Sequence, residues 1–152
     1  MRSRVILLGS KGETHPAICF ALDVARCEYR IVFDESELLN LQKIAQQTGE
    51  LFDALLVDTP YLNVDLVWLV EEWQRLEMQI PIVFVKRTEP LTRVVLSLLQ
   101  RFAHLNLHLS EPTDVADLVL LLTAQRQACN KYLNKTDNRG KTGWRWQWKK
   151  RS

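Results

Sequence analysis

The chain has 152 residues, enough for one domain with a sizeable core and too few for two full ones. Hydrophobic residues make up 47% and charged residues 25%, a globular composition that excludes disordered, collagen-like and fibrous classes. The net charge of +2 is unevenly spread: residues 1–130 carry 12 Lys/Arg against 17 Asp/Glu, whereas residues 131–152 carry 8 against 1, so an acidic body precedes a basic end.

The first apolar run, Arg4-Val-Ile-Leu-Leu8, is too short for a signal peptide or membrane span and reads as a strand covered on both faces, broken by Gly9. Thr14 and Pro16 open a helix on which Ile18, Leu22 and Ala25, with Phe20 and Val24, recur at helical spacing. Tyr29 to Phe33 is a second strand. Asp34 with Glu37 three residues on forms a capping box for a helix to Thr48, striped by Leu38, Leu41 and Ala45 and stopped by Gly49. Ala54-Leu-Leu-Val-Asp58 is the third strand. Asn63 caps a helix through Leu66, Leu69, Val70, Trp73 and Leu76, with Val67 and Trp68 off the main stripe. Pro81 to Lys86 is the fourth strand, Thr88 and Pro90 open a helix to about Ala103, Asn106–Leu109 is a short fifth strand, and Thr113 caps a last helix to about Tyr132. This regular alternation predicts an α/β fold: a doubly wound, five-stranded parallel sheet between two layers of helices, spanning residues 1–132, with a basic, Trp-rich tail over 133–152.

In such sheets, function gathers beyond the carboxyl ends of the strands, which here carry Gly9-Ser10, Asp58, Lys86 and Glu111-Pro112. On these residues the chain resembles the receiver domains of response regulators, over residues 4 to about 130. The resemblance implies strand order 2-1-3-4-5 and a phosphoacceptor position at Asp58, followed by Pro60, with Pro112 at the family's cis-proline position. It also shows what is missing. Receivers hold Mg²⁺ with an acidic pair at the end of the first strand, where Gly9 and Ser10 stand here and the nearest carboxylate is Glu13. They carry a hydroxyl where this chain has Lys86 and a lysine where it has Glu111. A lone Asp58 is a poor Mg²⁺ site, and the implied order puts Lys86 between two carboxylates, Asp58 and Glu111, a self-neutralised cluster without metal or phosphoryl group. The implied class is an atypical, pseudo-receiver module of two-component signalling that needs no phosphotransfer, no metal and no cofactor.

Two other readings compete. Gly9-Ser-Lys-Gly-Glu-Thr14 lies where flavodoxin-like proteins cradle a phosphate or cofactor, although it matches neither GxGxxG nor a P-loop and Glu13 opposes an anion. Trp144, Trp146 and Trp148 alternate with Arg145 and Gln147 and precede Lys149-Lys-Arg151, so an extended tail presents three indoles on one side, suited to a protein partner, to nucleic-acid bases or to a membrane surface. The fourth and fifth helices carry more apolar residues than one buried stripe uses, and Val95, Leu99, Leu120 and Leu121 are the candidate partner or homodimer face. His15, His104 and His108 are scattered and form no nucleophile–base pair, so no enzymatic activity is expected. Three cysteines without metal-like spacing, Cys19, Cys27 and Cys129, read as buried small hydrophobes of a cytoplasmic protein.

Overall fold

The computed structural model describes residues 3–9, 16–58, 65–76, 80–86 and 89–138, with side chains up to residue 128. Strands and helices alternate: β1 (Arg4–Gly9), α1 (Pro16–Val24), β2 (Glu28–Val32), α2 (Glu35–Thr48), β3 (Ala54–Asp58), α3 (Leu66–Arg75), β4 (Ile82–Val85), α4 (Glu89–Arg101), β5 (Leu107–Ser110) and α5 (Val115–Asn138). All strand pairings are parallel and the sheet order is β2-β1-β3-β4-β5, as expected from the sequence.

The central strands are apolar on both faces because both faces are covered. Ile6, Leu8, Leu55, Val57, Ile82 and Phe84 pack under α2, α3 and α4, while their alternates Val5, Leu7, Ala54, Leu56, Val83 and Val85 pack under α1 and α5. The period-2 direction of strand side chains thus splits one apolar run into two cores.

Local signals set the helix ends. Asp34 Oδ1 accepts from the Glu37 N–H at 2.8 Å, Glu37 Oε2 accepts from the Phe33 N–H at 2.7 Å, and Gly49 ends α2 with φ 77°, a left-handed conformation that glycine adopts without a Cβ penalty. For α3 the cap is Asp65, whose carboxylate accepts from the Trp68 N–H at 3.0 Å, rather than Asn63, which lies outside the described residues. Both have capping side chains, and only Asp65 stands directly before the first helical residue. Thr14 and Thr88, the expected starts of α1 and α4, also lie outside the described residues. The last helix runs to Asn138 instead of about Tyr132, since the sequence offers neither proline nor glycine before Gly140. Among the described residues no helix is long and apolar enough to cross a membrane.

The pole at the amino ends of the strands is held by charge. Asp53, just before β3, accepts from the Arg4 main-chain N–H at 2.8 Å with Oδ2 and from Arg126 Nη1 of α5 at 2.8 Å with Oδ1, and Arg126 also donates to the Phe52 carbonyl at 2.6 Å. Arg4 reaches out from β1 to the Glu50 carbonyl at 2.7 Å and to Glu28 at 3.3 Å. Nearby, Thr123 Oγ1 donates to Val119 O and stands 2.8 Å from Ser3 Oγ, so the Ser3 hydroxyl is the donor that links the first residues to α5.

One buried polar atom is out of place. Gln42 lies between Leu38 and Ala45 on the buried stripe of α2, and its Oε1 has no hydrogen-bond partner among the described residues. Gln42→Met keeps the length and removes the orphaned acceptor, so it is expected to raise stability by about 1 kcal/mol, or about 3 °C in Tm by calorimetry.

Candidate functional site at the carboxyl ends of the strands

The register builds the site from the sheet outward. Gly9, the last residue of β1, lies opposite Asp58, the last of β3, across the switch point where the chain winds in both directions. Asp58 continues the Ala54, Leu56 face of β3 and is wholly buried, at 0% exposure, and it is not without a polar partner. The residue facing it in β1 therefore contributes no side-chain ligand at all. Ser10, Glu13 and the rest of the loop through His15 lie outside the described residues, as does Pro60, so the phosphate-loop reading of residues 9–14 meets the structure only at Gly9.

On the other side of β3 the strand ends stay zipped: Val85 lies opposite Ser110, and the Lys86 N–H donates to the Ser110 carbonyl at 2.8 Å. This register brings Lys86 and Glu111 to the same level, and Lys86 Nζ sits 3.3 Å from Glu111 Oε1. Lys86 thus pairs with Glu111, one of the two carboxylates expected to flank it. Its setting is more exposed than a neutralised core cluster, with the side chains 42% and 55% accessible, which places it among surface ion pairs worth about 0–1 kcal/mol. Ser110 is buried and its hydroxyl donates to the Glu111 carbonyl at 2.9 Å. Pro112 is partly buried and follows a trans peptide bond, unlike the cis bond the resemblance implies.

The helical face divides the expected interface residues. Leu120 and Leu121 are exposed on α5 and Leu99 is partly buried on α4, but Val95 is 2% exposed and belongs to the core with Leu91, Leu98 and Phe102. The buried stripe of α4 runs through Leu91, Val95, Leu98 and Phe102, and this phase turns Leu96, beside Val95 in sequence, outward to 50% exposure. Trp68 of α3 is partly exposed, as its place off the stripe predicts, while Val67 packs against the core. Trp144, Trp146 and Trp148 lie outside the described residues.

Two histidines are described. His104 is exposed with its Nε2 3.0 Å from Gln74 Nε2, and His108 on β5 is half-buried beside Asn106. Burial pulls the His108 imidazole below its ordinary range. The folded protein therefore binds this proton more weakly than the unfolded chain does, and stability should fall as pH drops through about 6.5, the ordinary histidine value. Thermal melts between about pH 7.5 and 5.5 test this, with a flatter profile expected for His108→Gln. Burial likewise pushes the Cys27 thiol up, away from the thiolate, as suits a core residue.

Comparison with known proteins yields no match, whether to a family model, a curated protein or a solved structure.

Proposed function

We propose that the chain is a pseudo-receiver: a regulatory, non-enzymatic module that binds protein partners without accepting a phosphoryl group. The observation that carries this reading is the complete burial of Asp58 opposite Gly9. A phosphodonor has to approach a carboxylate oxygen in line, and Mg²⁺ needs one or two carboxylates with open positions for water and phosphate oxygens. A fully buried aspartate facing a glycine supports neither requirement. Glu111 adds a negative charge just after β5, where receivers place a lysine, and Lys86 is already engaged by it.

The expected result is that acetyl phosphate with Mg²⁺ leaves the chain unlabelled by intact-mass spectrometry, and that Asp58→Asn is indistinguishable from the parent in that assay. Stoichiometric addition of one phosphoryl group, lost in Asp58→Asn, would overturn the reading.

The partner face that best fits this role lies around α4, β5 and α5, where Leu96 and Leu121 remain exposed and β5 is an edge strand. An apolar partner surface, another copy of the chain included, matches it. A cytoplasmic setting is consistent with the free thiols of Cys19 and Cys27.

A further inference from the structure

The opposite edge of the sheet is an acceptor for a strand. In the pairing of β2 with β1, Glu28 lies opposite Arg4 and its N–H donates to the Ser3 carbonyl at 2.8 Å. Main-chain groups alternate in direction along a strand, so Glu28, Arg30 and Val32 face β1 while the N–H and C=O of Tyr29 and Ile31 point out of the sheet. The strand has no proline or lysine to blunt this edge. Beside it α2 leaves a groove lined by Arg30, Ile31, Val32, Glu37, Leu41 and Ile44, and Ile31, Ile44 and the neighbouring Phe33 are exposed.

Charge and pattern identify the occupant. Residues 16–50, which build this edge, carry six acidic against three basic residues, whereas residues 86–117 around the other edge carry four of each. Residues 139–152 carry six Lys/Arg and no acid, and within them Trp144, Trp146 and Trp148 recur at the period of a strand. A basic segment is attracted to the acidic β2 edge, while the β5 edge, with no net charge, offers it no such attraction. Added to β2, it would match its main chain to Tyr29 and Ile31 and lay its indoles over Leu41 and Ile44, with the Arg30 guanidinium against an aromatic face. Arg145 and Lys149, on the other side, would face α1 and the exposed Asp23.

We propose that the tryptophan segment of one copy pairs with the β2 edge of a second copy. α5 supplies the reason for two copies. Its Arg126 is clasped at the start of β3, and residues 127–138 continue the helix for about 18 Å past that point, so the helix that precedes the segment ends away from its own sheet, a start that favours a second copy. The inference is independent of the reading of Asp58, since neither edge nor tail involves it.

The test uses the full-length chain in sedimentation and amide hydrogen exchange. The expected result is a dimer in which the Tyr29 and Ile31 amides exchange at least about tenfold more slowly than open-edge amides. Replacing the three tryptophans by serine should yield a monomer with those amides released and the helix content by circular dichroism retained. Ile31→Pro should also yield a monomer; it removes only an outward N–H and so spares the bonds to β1. Four results would overturn the proposal: rapid exchange of both amides in the parent; a dimer that survives the tryptophan replacement; a dimer lost in Leu121→Glu but kept in Ile31→Pro, which would assign it to the α4–α5 face; or a monomer with protected amides, which would place the segment on its own sheet.

Discussion

Asp53→Ala should cost the domain about 3 kcal/mol, the low end of the range for removing one partner of a buried ion pair, and lower Tm by about 10 °C. Asp53 is only 12% exposed and serves three elements at once, accepting from the Arg4 main chain of β1 and from Arg126 of α5 while opening β3. Alanine leaves the Arg4 N–H without its acceptor and strands the guanidinium, still hydrogen-bonded to Phe52 O, beside no carboxylate. Asp53→Asn retains an acceptor but not the charge and should fall between parent and alanine. Arg126→Ala should cost less, about 1–2 kcal/mol, because that side chain is a third exposed and its loss leaves Asp53 within reach of water. Urea unfolding of the four proteins checks the order; equal stability of Asp53→Ala and parent would show that the clasp contributes nothing.

A comparable loss, about 3–5 kcal/mol, is expected for Trp73→Ala. Trp73 is almost fully buried on α3, in the core that also holds Ile80, Ile82 and Phe102, and its indole N–H donates to the Ile80 carbonyl at 3.0 Å. It thus fixes the end of α3 against the start of β4 by volume and by direction. Trp73→Phe separates the two: most of the volume stays, the Ile80 carbonyl loses its donor, and the cost should drop to about 1–2 kcal/mol. If both variants unfold at the same denaturant concentration, the hydrogen bond rather than the cavity dominates.

The sequence made the sheet readable because its central strands are continuous apolar runs between turn residues, a pattern that a half-exposed strand would not show. Ala54 to Val57 leaves no other assignment, whereas β2, half exposed as Glu-Tyr-Arg-Ile-Val, gave no hint of the open groups at Tyr29 and Ile31, which depend on which residues face β1. Helix stripes were legible to within one residue, and that residue mattered: Val95 and Leu96 are equally apolar, but a 100° turn puts one in the core and the other in solvent. The Asp53 clasp joins positions 49 and 73 residues apart in sequence, and no local pattern encodes such a meeting. At the candidate site the strand-end residues were identifiable from position alone, and the Lys86–Glu111 pair followed from the order of the strands. The burial of Asp58 did not, because burial is set by packing between residues distant in sequence, which no local pattern encodes.

The position of α5 bears on how the protein is made. The face of the sheet formed by Val5, Leu7, Ala54, Leu56, Val83 and Val85 is covered by α1 and by Val115, Val119 and Leu122 of the last helix. A ribosome synthesising the chain releases those strands before residues 115–126, so the emerging polypeptide carries an uncovered apolar strip until α5 clears the exit tunnel. Completion of the sandwich then waits for α5 and is sealed when Ser3 meets Thr123. A chain whose synthesis pauses or stops before α5 would present that strip to chaperones or to other nascent chains, which makes α5 the element on which its solubility during synthesis depends.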